Sequence, residues 1–266
     1  MKIIAIIYGF FLRLRYKIVI KGLDEIKGKT SNLYLPNHQA EVDPQIVMSI
    51  ILLHDKVAPM ISSIYYNIPV LKSFFKAMGA VSVSDLEKGS RDINILQKLE
   101  KAAESALTNN RSILLYPAGQ LAGQGYERIY NKQSAYEIVK KLPEKSNVIG
   151  VRISGLWGSI WSRAWMGKSP EFISTYLKTI GFVIANLIFF MPRRTVNIEF
   201  VDITQQAKEA AKTLDRKGFN NYLEEFYNIH GEEKPLFLKY FFYGPKLKRQ
   251  LPTQIYGADK KNNTTK

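Results

Sequence analysis

The chain has 266 residues, 46% of them hydrophobic and 12% aromatic, with a formal net charge of +15. That length suits one domain with a sizeable core, alone or with membrane-contacting appendages, and the basic balance calls for an anionic partner, either nucleic acid or a membrane surface. The absence of Cys excludes disulfides and thiolate metal sites, and three His residues leave little for a His-rich one, so neither a metal nor a cofactor is expected.

The first element is the apolar run 3–12, closed by Arg13-Leu14-Arg15. Ten residues of helix reach about 15 Å, half of a hydrocarbon core of roughly 30 Å. The run is too short to span a bilayer, and no small-residue cleavage site follows it. It reads as an interfacial anchor helix, with packing on the domain's own core as the alternative. Tyr16–Lys21 alternates apolar and polar residues and reads as a strand, followed by a loop to Thr30.

Residues 31–44 carry the chemistry. Leu33-Tyr34-Leu35 is a short buried-strand signal that stops at Pro36, and Asn37 and His38 follow. Asp43-Pro44 then opens an apolar run, Ile46–Leu53, that reads as a helix, with Asp as N-cap and Pro at the first helical position. A His in a strand-to-helix loop with a carboxylate five residues on can form a pair. Asp43 accepts from one imidazole nitrogen and fixes the tautomer, and the other nitrogen can then take a hydroxyl proton. The plainer alternative is that Asp43 only caps the helix and His38 only occupies the loop.

With its flanking strand and helix, Asn37-His38-x4-Asp43 resembles the first block of the glycerolipid (lysophosphatidic-acid/lysophospholipid) acyltransferases. The resemblance implies that His38 is a general base and Asp43 its orienting partner, with Asn37 at the substrate loop. A serine-hydrolase triad is a poor rival, because no Gly-x-Ser-x-Gly elbow is present.

Val57–Ile61 reads as a short strand, and His54 as a helix-end residue. A helix is expected from Pro69 to Ala77, then a strand at 79–83. The family's second block places an Arg for the acceptor phosphate after that strand. Here Ser84-Asp85 stands there, and Arg91 is the nearest candidate. Ile93–Thr108 has helical spacing, with Ile93, Leu96, Ala103 and Leu107 on its apolar face.

The strand signal Ser112–Tyr116 runs into Pro117-Ala118-Gly119, which resembles the third block, Phe-Pro-Glu-Gly-Thr-Arg. Pro117 and Gly119 match, which implies a substrate-binding turn where Gly119 admits close backbone approach. Ala118 stands in place of the Glu that the family uses near the acceptor head group. This departure keeps open a non-catalytic, membrane-peripheral lipid-binding protein of the same fold. The variant is also similar to an offshoot related to the lysophosphatidylethanolamine acyltransferase module. Arg128 and Lys132, in a Gly-punctuated loop before a helix at 135–142, are the substitutes expected for the missing phosphate-binding Arg, with a solvated basic loop as the alternative.

Asn147–Ile153 reads as a strand at the place of the fourth block, and Gly155-Leu-Trp-Gly-Ser is similar to the same offshoot. Trp157, Trp161 and Trp165 have the spacing of one helix face: an acyl-chain wall, a bilayer-interface belt, or core packing. From Ile180 to Met191 an apolar helix covers only about 18 Å. Extending it back to Phe172 brings in Lys178, at about 2.5–3.5 kcal/mol if central, unless it snorkels. A shallow or re-entrant helix stopped by Pro192-Arg193-Arg194 is expected. Thr195–Phe200 reads as an edge strand, and Thr204–Lys212 and Gly218–Asn228 as surface helices ending near His230-Gly231. Leu236–Tyr243, followed by Lys246-Leu-Lys-Arg249, reads as a second interfacial anchor, and the polar tail from Gly257 as disordered.

Strands separated by helices give an α/β fold with a mixed, largely parallel sheet, glycerolipid acyltransferase-like, with interfacial membrane helices. The expected divisions are an anchor at 1–15, an acyltransferase domain at 16–230 and a basic aromatic anchor with tail at 231–266. Residues 1–30 carry a net +5 and residues 234–266 a net +7, both beside apolar clusters, and no nucleic-acid motif is visible. That placement favours an anionic membrane surface over nucleic acid. The resemblance spans about residues 16–200. It implies acyl-CoA or acyl carrier protein as donor, a lysophospholipid acceptor and the cytoplasmic face of a bacterial inner membrane.

Overall fold

A computed structural model describes residues 1–67, 72–73, 75–76, 78–83, 95–165 and 167–240. Among these, seven strands form one sheet: β1 (Tyr16–Lys21), β2 (Asn32–Pro36), β3 (Val57–Ser62), β4 (Val81–Val83), β5 (Ser112–Leu114), β6 (Asn147–Ser154) and β7 (Arg194–Asp202). The spatial order is β1-β7-β6-β2-β5-β3-β4. All neighbours run parallel except β6 and β7, so the sheet is mixed and largely parallel, as expected.

β7 corrects the edge-strand expectation, because it lies between β1 and β6. Its alternation, with Val196, Ile198 and Phe200 buried and Thr195 and Asn197 exposed, reports one solvated face. An internal strand shows that pattern when only one side of the sheet is covered there.

Helices cover both faces. On one side α1 (Lys2–Arg15) and α2 (Asp43–Ile51) pack with Tyr34, Val196, Ile198, Phe200 and Trp161. On the other, α4 (Ile95–Thr108), α5 (Ser134–Lys140), α7 (Thr204–Thr213) and α8 (Arg216–Tyr227) pack on Leu33 and Leu35, while α3 (Ser63–Tyr66) follows β3. Successive β2 side chains thus enter opposite halves of the core, as the two-residue period requires. α7 and α8 are more than surface helices: Ala207, Ala211, Phe219 and Leu223 are buried.

A polar bolt fixes the start of the parallel strands. Buried Asp55 accepts from Asn32 Nδ2 and from the Tyr34 hydroxyl, each at 2.9 Å, and from the Ser112 hydroxyl. This ties β2, β5 and the approach to β3 together at the end opposite to the loop bearing His38, and each buried polar atom gains a partner.

Among the described residues, α1 and α6 (Phe172–Phe190) present exposed apolar faces. α1 buries Ala5, Gly9 and Leu12 but exposes Ile3, Ile6, Ile7, Phe10 and Phe11. α6 starts earlier than the apolar run alone predicts, because the Glu171 carboxylate accepts the N–H groups of Ile173 and Ser174 and caps it. At 19 residues and mean hydropathy 1.6 it is long and apolar enough to cross a membrane by length and composition. It breaks at Leu187, which has a positive φ of 50°.

The helix expected for the three tryptophans is corrected, and of the readings offered for them core packing is the one that their burial fits. Residues 156–165 form turns and a short 3-10 segment, not a helix, and Trp157, Trp161 and Trp165 are all buried. The helix expected over 69–77 falls partly outside the described residues. Ser84-Asp85, Arg91 and Ile93, and the anchor and tail beyond residue 240, fall wholly outside them.

Candidate active site

β2 is the strand that delivers the site. It pairs with β5 on one side and β6 on the other, and its five residues are all buried. Pro36 ends it opposite Val151, and Asn37 extends the ladder by one bond, N–H to the Val151 carbonyl at 3.3 Å. The loop 37–42 therefore leaves from the carboxyl ends of parallel strands, where open α/β sheets hold ligands.

The loop is held at nearly every residue. Asn37 clamps Ile153 twice, donating from Nδ2 to its carbonyl at 3.0 Å and accepting its N–H at 2.7 Å. The His38 carbonyl accepts from Ala122 N–H at 2.7 Å, and its own N–H donates to Glu127 Oε2 at 2.9 Å. The Gln39 side chain accepts Leu156 N–H at 3.1 Å and donates to Glu233 Oε2 at 2.6 Å. Glu41 N–H donates to the Trp161 carbonyl at 3.0 Å.

Asp43 closes the loop from inside. Its Oδ2 accepts Gln39 N–H at 2.5 Å and Ala40 N–H at 3.0 Å, and it lies 3.2 Å from His38 Nδ1. This overturns the cap reading. The N-cap of α2 is Val42, without a side-chain bond, and the fully buried Asp43 carboxylate turns back toward the histidine. Nδ1–H is thus the proton given to Asp43. Among the described residues no side chain hydrogen-bonds Nε2, and the His38 side chain is 14% exposed.

Electrostatics follow from that geometry. Burial pulls the His38 imidazole down, but the hydrogen bond and charge of Asp43, with Glu41 and Glu127 behind it, outweigh burial and leave it above 6.5. Burial pushes the Asp43 carboxyl up, opposed by His38 and the two loop N–H groups. Burial likewise raises Glu127 from 4.5 to about 7, against the His38 contacts that lower it. The Tyr116 ring packs on the imidazole with centroids 4.4 Å apart.

The other expected residues fall as follows. Asn37 is wholly engaged with β6, so it shapes the loop. Pro117 is buried just after β5. Gly119 has φ +61°, which L-residues rarely adopt, and a Cβ there would meet nothing within 4 Å. Its need for glycine is conformational, and it faces open space beside the site loop. Ala118 is buried.

Arg128 pairs with Glu224 at 3.9 Å and lies over the Tyr126 ring at 5.1 Å. It lines an open pocket of about 630 Å³ that also holds Glu224, Glu225 and Glu232. Those carboxylates oppose an anion, and among the described residues Arg128 makes no hydrogen bond to the His38 loop. The Lys132 carbonyl accepts from Asn220 Nδ2 at 2.8 Å.

Sequence reasoning missed Glu127, Gln39 and the contacts of the strap 231–240, which it read only as part of a basic aromatic anchor and tail. The strap has no regular structure and runs across the site loops into the groove between α1 and α6. Glu233 Oε1 accepts Gly155 N–H at 2.8 Å, and Glu233 N–H donates to the Gly125 carbonyl at 2.7 Å. A Cβ on Gly125 would lie 2.0 Å from the Glu233 carbonyl oxygen, so only glycine admits the strap there. Leu236 bonds Trp157 and buried Arg194, and Tyr240 accepts from Arg15 at 3.2 Å. No spacing rule marks these partners.

A family model described as Acyltransferase matches residues 17–154, which hold His38, Asp43, Pro117, Gly119 and Glu127. No curated protein matches. Among solved structures the chain is similar to the 1-acyl-sn-glycerophosphate (LPA) acyltransferase PlsC from Thermotoga maritima, with TM-score 0.51 and 16% identity, over 85% of this chain and 78% of that one. At that identity the likeness is one of fold.

Proposed function

The chain belongs to the acyltransferase family, and on that premise we propose that it is a membrane-associated O-acyltransferase that moves an acyl group from acyl-CoA or acyl-acyl carrier protein to a lysophospholipid or related lipid hydroxyl. The observation that carries this reading is the His38–Asp43 pair at 3.2 Å, at the carboxyl end of a central parallel strand.

His38 Nδ1–H donates to Asp43, which leaves the Nε2 lone pair for the acceptor hydroxyl. As the hydroxyl oxygen attacks the thioester carbonyl, its proton passes to Nε2, and buried Asp43 stabilises the imidazolium. The tetrahedral intermediate collapses, the carbon–sulfur bond breaks, and the leaving thiolate takes the proton back. No acyl-enzyme is required, and the chain has no Cys to form one. Gly119 and Pro117 shape the wall beside the reacting atoms.

The exposed apolar faces of α1 and α6 support a docking surface for the bilayer, with exposed Arg13 at its edge toward anionic head groups. In this reading α6 lies shallowly in the membrane, and Lys178 reaches the head groups. The location is the cytoplasmic face of a bacterial inner membrane. Arg128 and Lys132 contribute to acceptor binding only weakly, given the three glutamates around Arg128.

A second reading, a catalytically inactive lipid-binding protein of this fold, is favoured by one observation: Ala118 is buried where the resemblance calls for Glu. A panel of labelled acyl-CoA and acyl-acyl carrier protein donors against lysolipid acceptors separates the two. Transfer to any acceptor supports the enzyme, and vesicle binding without transfer supports the alternative.

A further inference from the structure

The loop after the Pro117–Gly119 turn supplies a second buried carboxyl that the scheme above does not use. Glu127 is 3% exposed, and among the described residues no Lys or Arg pairs with it. Its Oε2 takes the backbone N–H of His38 itself at 2.9 Å. Its own main chain is pinned on both sides by Asn228, whose Oδ1 accepts Glu127 N–H at 2.8 Å and whose Nδ2 donates to the Glu127 carbonyl at 2.9 Å. A buried carboxyl without a cation is costly, whereas any neutral carbonyl would satisfy a backbone N–H. Something beyond that hydrogen bond is needed to account for a carboxylate here.

The groups that face Glu127 supply it. His38 and Asp43 lie on one side, Tyr116 on the adjoining loop, and Glu224 and Tyr227 on α8. Of these only the His38 imidazole can become positive. Taking His38 as the base, on which this inference rests, we propose that Glu127 is a positioning residue for acyl transfer: it fixes the His38 main chain and sets a second negative charge beside the imidazolium that forms when the acceptor proton is taken. Its carboxyl titrates at about 7, because burial raises it and the His38 contacts oppose that rise, so its charge responds to the charge on the base.

The test uses the full chain with Glu127→Gln and Glu127→Ala, and His38→Ala in parallel. Transfer kinetics are measured across pH, and the His38 ring is titrated by NMR. With three His in the chain, His38→Ala assigns the signal. Gln keeps an acceptor for the N–H and removes the charge. The expected result for Glu127→Gln is a kcat about tenfold lower at unchanged KM, with the rate inflection and the ring titration both moved to lower pH.

Full activity with an unmoved titration in Glu127→Gln overturns the proposal, even when Glu127→Ala is impaired, because that pattern belongs to a loop-fixing hydrogen bond alone. Activity retained in His38→Ala defeats the base assignment instead. The ring titration then still judges the Glu127 charge: an unshifted His38 signal overturns it.

Discussion

Gln39 and Glu233 stand 194 positions apart and share a 2.6 Å hydrogen bond, so the residue next to the proposed base is held by a strap from the far end of the chain. The same carboxylate accepts Gly155 N–H. Glu233→Ala leaves both donors without partners, which costs on the order of 1–3 kcal/mol. The expected outcome is a melting temperature lower by several degrees and reduced transfer with vesicle binding intact, checked by calorimetry, kinetics and flotation. An unchanged melting temperature would show that the strap does not hold the loop.

Asp43→Asn keeps the shape and removes the charge that lifts His38. Transfer requires neutral imidazole, so the wild-type rate rises with pH through the His38 pKa, which lies above 6.5. In the variant the inflection moves to lower pH. The maximal rate falls by about 10²–10⁴, because the Asn amide can donate to Nδ1 and leave the wrong tautomer. A pH–rate profile of the two proteins checks both effects.

Glu127 also leaves a mark on stability. Its folded pKa is raised from 4.5 to about 7, so its contribution is fully present below 4.5 and is lost as pH rises through 7. Glu127→Gln lacks that loss. Denaturant unfolding of both proteins at pH 4.5 and pH 8 is expected to show wild type losing on the order of 3 kcal/mol relative to the variant. A constant difference across that window would mean that the carboxyl is not perturbed.

The membrane face is tested on α1 and α6. Phe189 is 92% exposed, Ile3 73% and Ile184 70%. Each such side chain contributes about 1.5–3 kcal/mol when buried in an apolar phase. Changing these three residues to Ser is expected to release the protein from anionic vesicles in a flotation assay, with turnover of a water-soluble short-chain substrate preserved. Undiminished flotation would place the docking surface elsewhere.

The strand–loop–helix at 31–51 was legible because its signals are local: an apolar run, Pro36, and Asp43-Pro44 before a second apolar run. The alternating strands and the largely parallel sheet were legible for the same reason. What resisted reading depends on partners distant in sequence. Glu127 meets the His38 N–H across 89 positions and Glu233 meets the Gly155 N–H across 78, and backbone donors leave no trace in a side-chain pattern. Asp43 read both as the partner of His38 and as a helix cap, and the loop's inward turn, invisible in the spacing, decides for the first. The Trp157/Trp161/Trp165 spacing imitated a helix face, because turns can also bring residues four apart into one core.

The measurement that bears most directly on the central claim is labelled acyl transfer by wild type and His38→Ala, run beside vesicle binding. The account predicts transfer to at least one lysolipid by wild type, abolished in His38→Ala, with vesicle binding equal in the two. Wild-type-like transfer by His38→Ala would contradict it.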